Sequence, residues 1–417
     1  MRIGFVGLGK LGLPVAAAIA SCGHRVIGYD TNPKRMTKER QSYQETWFNG
    51  AGDFNDYLPQ IDNLHFGSLK EVCATSEIIF VAVQTPHDPR YEGITELPDE
   101  RVDFDYSFLI AAVKSVCEFV KEGTIIAVIS TCLPGTMMKY ILPLIPKGVH
   151  FAYNPAFIAM GTVIRDFLEP EFVLLGAYDD EAANRMIEFY SSVCNSSIKL
   201  MSVESAELAK VAYNTYISFK IAFVNLLGEI CHKIPRADVD EVTGALAGAY
   251  RRLISPAYLT AGMGDGGGCH PRDNIAMSYL AKRLNLSYDM FEAVMLSRER
   301  HARWLASMLK GLGKISKLPM IILGYAFKPG TKITTGSPAL LVKSFCPEAE
   351  LVDSILSWGS LIDLKTPAVF LLGCRYLEYA SCKFPKGSIV IDPFRIVPDQ
   401  EGVEVISIGK GGGFADV

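Results

Sequence analysis

The chain has no C-x-x-C pair: its ten cysteines are scattered through 417 residues. That excludes a small disulfide-stapled module and leaves reduced thiols as the expectation. It has no block of like charge either. The 41 basic residues are offset by 45 acidic ones, a formal net charge of -4, so there is no field for nucleic acid or a membrane surface, and small polar ligands remain. No apolar run approaches the length of a membrane span. Met1-Arg2-Ile3-Gly4-Phe5-Val6-Gly7 reads directly as a strand, so no cleaved leader is expected and the chain reads as cytoplasmic. There is no repeat at a fixed period and no Gly-Lys-Ser/Thr phosphate loop. Cys269-His270 has no companion ligands at zinc spacing, so no metal is expected.

What the chain does have is alternation. Its length suggests two or three domains. Short β-rich apolar runs at 3–6, 26–29, 78–83, 124–129, 151–153 and 172–175 are separated by helical stretches. Strands apolar on both faces predict a parallel sheet covered on both sides. From Val203 to about Leu312 the texture is helical, with Ser202 and Ser205 both plausible N-caps. Strand-like runs resume at 320–324, 350–352, 368–372 and 388–391, a second and smaller α/β unit.

Two features carry chemistry. Gly7-Leu8-Gly9-Lys10-Leu11-Gly12 follows the first strand and opens a helix, and Asp30 closes the next strand about twenty residues on. Helix amides would face a pyrophosphate, and an acidic Asp30 would hold ribose hydroxyls and repel a 2′-phosphate, which favours NAD over NADP, with Lys34 and Arg35 nearby. Thr85-Pro86 and Ser130-Thr131, at later strand ends, should line the nicotinamide side of that crevice. The second feature is Gly262-Met263-Gly264-Asp265-Gly266-Gly267-Gly268-Cys269, where glycines allow close backbone approach to a ligand beside one thiol.

In these landmarks the chain resembles the UDP-glucose and GDP-mannose dehydrogenases. The likeness runs through the glycine fingerprint, Thr85-Pro86, Ser130-Thr131 with Pro134-Gly135-Thr136, Asn154-Pro155-Ala156-Phe157, Ala206-Glu207-Leu208-Ala209-Lys210 with Asn214, the Cys269 loop with Asp273, and Ala326-Phe327-Lys328-Pro329. The resemblance implies two Rossmann-like, doubly wound α/β domains joined by a long central helix and a helical middle domain. Its parts would be an NAD domain at 1–200, a dimerising helical domain carrying the cysteine loop at 201–315, and a nucleotide-sugar domain at 316–417. It implies two NAD-dependent oxidations of a sugar C6 alcohol to a carboxylate in a homodimer, with a UDP-sugar favoured over a GDP-sugar. By position, Cys269 would be the nucleophile, forming a thiohemiacetal and then a thioester. Lys210 and Asn214 would steady charge on the reacting oxygen, their four-residue spacing placing both on one helix face. Asp273 would be the acid/base carboxylate and Thr131 would adjoin the active-site water. Gly7, Gly9, Leu11, Gly12, Asp30, Arg35, Thr85, Pro86 and Thr131 would hold NAD. Phe157, Lys210, Asn214, Tyr258, Gly266, Phe327, Lys328 and Arg395 would hold the nucleotide sugar, with Arg251 or Arg252 as a further diphosphate contact.

The pattern also breaks. Ala156 stands where the resembled family has a glutamate tied to acid/base steps and thioester hydrolysis, and Thr335 stands for an arginine near the cofactor. Asp265 replaces an aromatic residue and Arg272 a lysine. These departures leave open a relative that stops at one oxidation or only binds nucleotide sugar or NAD. A simple β-hydroxyacid dehydrogenase is a further alternative, disfavoured by the third domain and the Cys269 loop.

Overall fold

The computed structural model describes every residue except 40, 42–44, 49–51, 87–101, 256, 258–259, 266–269, 330, 332, 353–363 and 411–417. It divides into two compact units, Met1–Phe219 and Lys220–Val417.

The first unit is built on eight strands: β1 (Arg2–Val6), β2 (Arg25–Tyr29), β3 (Leu64–Phe66), β4 (Ile78–Val81), β5 (Ile125–Val128), β6 (His150–Tyr153), β7 (Val173–Ala177) and β8 (Ile198–Met201). Their order is β3-β2-β1-β4-β5-β6-β7-β8, so the first six give the doubly wound 3-2-1-4-5-6 arrangement. The helices between them are α1 (Gly12–Ser21), α2 (Phe54–Tyr57), α3 (Leu69–Thr75), α4 (Ser107–Cys117), α5 (Val163–Leu168) and α6 (Asp180–Ser191). β1, β4 and β5 are apolar and covered on both faces, which is why they read as continuous hydrophobic runs. Phe5, Phe80 and Phe189 stack through this core at 5.5 and 5.4 Å between ring centres.

One pairing departs from the expected parallel sheet: β6 and β7 are antiparallel, with Tyr153 opposite Gly176. The connection between them, residues 154–172, carries one short helix, α5.

Helix α7 (Val203–Lys233) runs from the first unit into the second. Ser202 is its cap, accepting the Ser205 N–H at 3.3 Å, which decides between the two serines. The second unit continues with α8 (Val239–Ala247), α9 (His270–Leu284) and α10 (Met290–Ser316), then a parallel five-stranded sheet. Its strands are β9 (Met320–Leu323), β10 (Glu350–Val352), β11 (Val369–Leu372), β12 (Ile389–Asp392) and β13 (Glu404–Ser407), in the order β10-β9-β11-β12-β13, with α11 (Pro338–Phe345) alongside. Ala302, Leu305, Ala306 and Leu309 form one apolar stripe of α10 and share a core with Ile322, Val369 and Leu371. Among the described residues no helix is long and apolar enough to cross a membrane.

Candidate active site

The glycine loop after β1 is tight enough that only glycine fits at two of its positions. Gly7 has φ +97°, and a Cβ there would lie 2.6 Å from the Ala82 carbonyl oxygen; a Cβ on Gly12 would lie 1.9 Å from that of Gly7. Gly9 is less constrained, its added Cβ meeting the Arg35 guanidinium at 3.5 Å. Leu11 occupies the N-cap of α1 and supplies no side-chain cap, while the Leu13 N–H donates to the Gly9 carbonyl at 3.1 Å. Asp30, buried at the end of β2, accepts the N–H of Leu8 and of Asn32, each at 2.8 Å, and lies 3.5 Å from Arg35 Nη1. A glycine-walled helix start, a carboxylate at the next strand end and an adjoining cation fit an adenine dinucleotide.

The two proline-punctuated turns meet. Thr85 Oγ1 donates to the Thr131 carbonyl at 2.8 Å, and Ser130 Oγ donates to the Val83 carbonyl at 2.6 Å. Pro86 accepts the Asp105 N–H at 2.8 Å, so this edge of the crevice is held at both strand ends.

Lys210 is buried, and its Nζ donates to the Ala156 carbonyl at 2.8 Å while lying 4.7 Å from the centre of the Phe157 ring. Burial lowers the proton affinity of this amine. Ala156 thus contributes its backbone where a glutamate side chain was missed, and its methyl packs against the core. Phe157 packs at a tilt against Tyr213 at 4.4 Å and Phe172 at 4.9 Å, and the Tyr213 hydroxyl donates to Glu171 at 3.2 Å. Asn214, one turn beyond Lys210, is exposed, so of the expected pair only Lys210 is drawn inward.

In the second unit, Cys269, Gly266 and Tyr258 lie outside the described residues. The approach to the glycine loop is described. Arg298 Nε lies 2.9 Å from Asp265, its Nη2 donates to the Gly336 carbonyl at 3.0 Å, and His301 Nε2 sits 2.9 Å from the Gly262 carbonyl. Asp273 is exposed in the first turn of α9. Lys328 Nζ lies 5.4 Å from the Phe327 ring centre. Arg395 spends its guanidinium on the carbonyls of Pro393, Ile408 and Ala261, so it ties the segment before the glycine loop to the β12 end.

The nine described cysteines are all free. Burial pushes the thiol of Cys73 up to about 12 and that of Cys117 to about 11, and raises Cys22, Cys132, Cys346 and Cys382. Thiols held in that form are poor nucleophiles.

Comparison with known proteins decides the family. The NAD binding domain of the UDP-glucose/GDP-mannose dehydrogenase family matches residues 1–194, and the central domain of that family matches 204–299. The chain belongs to the UDP-glucose/GDP-mannose dehydrogenase family. Curated relatives include a UDP-glucose 6-dehydrogenase of Rickettsia bellii, 25% identical over 374 residues that span 88% of this chain and 81% of the relative. Another is UDP-glucose 6-dehydrogenase TuaD of Bacillus subtilis, 27% identical over 81% of this chain and 72% of the relative. Among solved structures, a ternary complex of GDP-mannose dehydrogenase from Pseudomonas aeruginosa superposes with a TM-score of 0.81 at 22% identity, over 97% of this chain and all of that one. The chain is therefore a dehydrogenase of this family that uses NAD.

Sequence reasoning passed over three groups that the fold brings into play: Glu207, the Tyr213–Glu171 pair, and Arg298. In the sequence Glu207 stands only as one residue of the Ala206–Lys210 motif. The other two act across gaps of 42 and 33 residues, which no local pattern encodes.

Proposed function

We propose that the chain oxidises the C6 alcohol of a nucleotide sugar to the carboxylate in two successive steps through Cys269. Bound at the Gly7–Gly12 loop and Asp30, NAD supplies the oxidising equivalents, two per product. The chain's own residues do the rest. The Cys269 sulfur adds to the intermediate aldehyde carbon, giving a thiohemiacetal; oxidation of that adduct leaves a thioester, which one water opens to carboxylate and free thiol. Lys210, a buried cation beside the Ala156 carbonyl and the Phe157 ring, stabilises developing charge on the reacting oxygen, with Asn214 as second donor. Asp273 serves as acid/base through water, and the glutamate absent at Ala156 is replaced in thioester hydrolysis by Glu169 or Asp273 acting through water. The observation that carries this reading is the partnership of Lys210 with the Ala156 carbonyl beside Phe157, inside a chain of this family.

Phe157, Tyr258, Gly266, Phe327, Lys328 and Arg395 would hold the substrate, with UDP-sugars favoured because the curated relatives named above are UDP-glucose 6-dehydrogenases. The three-part division at 200 and 315, a cytoplasmic location and a homodimer complete the proposal. For the dimer, α7 exposes Tyr216, Ile217, Phe219, Ile221 and Phe223, an apolar run of the kind that marks an interface.

Counting NADH per UDP-glucose tests the chemistry. Two are expected, and Cys269→Ser should lose the second oxidation. One NADH with a stable aldehyde or a trapped acyl-enzyme refutes the full pathway; a Cys269→Ser variant that turns over normally supports a hydroxyacid-type enzyme, and absence of turnover in the wild type supports a binding protein.

A further inference from the structure

Glu207 is fully buried, and no step above uses it. Its carboxylate lies against the turn that follows β5. One oxygen accepts the Met137 N–H at 2.8 Å and the Cys132 thiol at 3.5 Å; the other accepts the Gly135 N–H. All three donors lie within residues 132–137, the turn after β5 and the first residue of the short helix that follows it. Burying a carboxylate costs several kcal/mol unless its oxygens are satisfied, and a packing residue at this place would need no charge.

That turn is the one that begins with Thr131, whose carbonyl is held by Thr85. The turns at the ends of β4 and β5 are thus stitched to each other and then, through Glu207, to α7. Three residues further along, on the same face of α7, Lys210 reaches the Ala156 carbonyl at 2.8 Å. One side chain therefore joins the nicotinamide-lining turns to the helix that carries the charge-stabilising amine.

We propose that Glu207 is a positioning residue for the oxidation: it fixes the height of the Thr131 turn along α7, and so the separation between the nicotinamide wall and the Lys210 ammonium. This rests on the dehydrogenase reading above. Hydrogen bonds tolerate only a few tenths of an ångström, whereas a misplacement of about 1 Å can cost roughly 10²-fold in rate. Burial raises the proton affinity of Glu207 while its donors oppose the shift, in keeping with a carboxylate held by its turn.

The test uses the full chain as wild type, Glu207→Gln and Glu207→Ala, with NAD and either UDP-glucose or UDP-glucose carrying deuterium at C6. The alanine variant is expected to lose about 10²-fold in kcat, with KM for NAD within twofold and a larger deuterium effect on kcat, because hydride transfer becomes the slow step. The glutamine variant, which keeps one acceptor oxygen, should fall between. A purely structural role would lower the melting temperature and the active fraction and leave the isotope effect unchanged; that result overturns the proposal. A second readout needs no turnover: the amines are dimethylated with ¹³C, and the Lys210 signal is titrated by NMR. Its midpoint should rise toward the ordinary lysine value in both variants as the site loosens, and an unmoved midpoint overturns the proposal. If the wild type reduces no NAD with UDP-glucose, the oxidation reading fails on its own and the titration decides the role of Glu207.

Discussion

Lys210 shows how much a single residue's environment adds to its identity. On a helix surface it would be a solvated cation; here it is buried, with a backbone carbonyl and an aromatic ring as its described partners. Burial is the cause of its lowered proton affinity, so its ammonium deprotonates below the ordinary lysine value of about 10.4. For activity the sign is direct: the charge that stabilises the oxyanion is lost as pH rises through the lowered value. For stability, the penalty of holding a buried cation is fully present below that value and is relieved as pH rises toward the unfolded value. The alkaline limb of kcat/KM should therefore lie below that of an exposed lysine, and Lys210→Arg should move it upward while lowering the rate by roughly 10²–10³-fold. A pH profile of both proteins checks this, and coincident alkaline limbs would show that Lys210 does not set it. The motif around Lys210 was legible because its residues are contiguous; the role of the Ala156 carbonyl as acceptor for Lys210 was not, because a backbone atom leaves no mark in the sequence.

At the scale of elements, the strands that could be read are those covered on both faces. β4, β5 and β11 are apolar throughout and β1 from Ile3 on, and all four were placed to within about two residues of their ends. β3, β8 and β13 were missed. All three are edge strands; Leu64–Phe66 is only three residues long, and Ile198–Met201 and Glu404–Ser407 have no buried residue. An edge strand is defined by its neighbour's backbone rather than by its own apolar pattern. The glycine turn into α1 is the reverse case, since close approach forces residue type. Gly12→Ala places a Cβ 1.9 Å from a backbone oxygen that cannot swing away. The helix start must shift, and NAD should give little or no thermal stabilisation of this variant, whereas wild type gains about 2.7 kcal/mol at 100 times Kd. Calorimetry with and without NAD measures it; wild-type NAD affinity in Gly12→Ala would contradict the assignment of this loop.

At the scale of the whole molecule, α7 poses the question of what covers its middle. Phe219 is 65% exposed and Ile221 54% exposed, and a helix apolar around its circumference is normally buried. If a second copy covers it, Phe219→Glu or Ile221→Glu should shift sedimentation from dimer to monomer at micromolar concentration, and wild-type sedimentation of both would argue against this face. The sequence by itself determined the alternation of strands and helices, the NAD-type glycine turn and the acid at Asp30, because each depends on short-range sterics or on a period that neighbouring residues repeat. Only the tertiary structure decided the antiparallel β7, the carbonyl that receives Lys210, the ion pair of Asp265 with Arg298 and the anchoring of the Thr131 turn by Glu207. Those contacts join residues tens of positions apart, and their strength comes from exclusion of water, which exists only once the chain has folded.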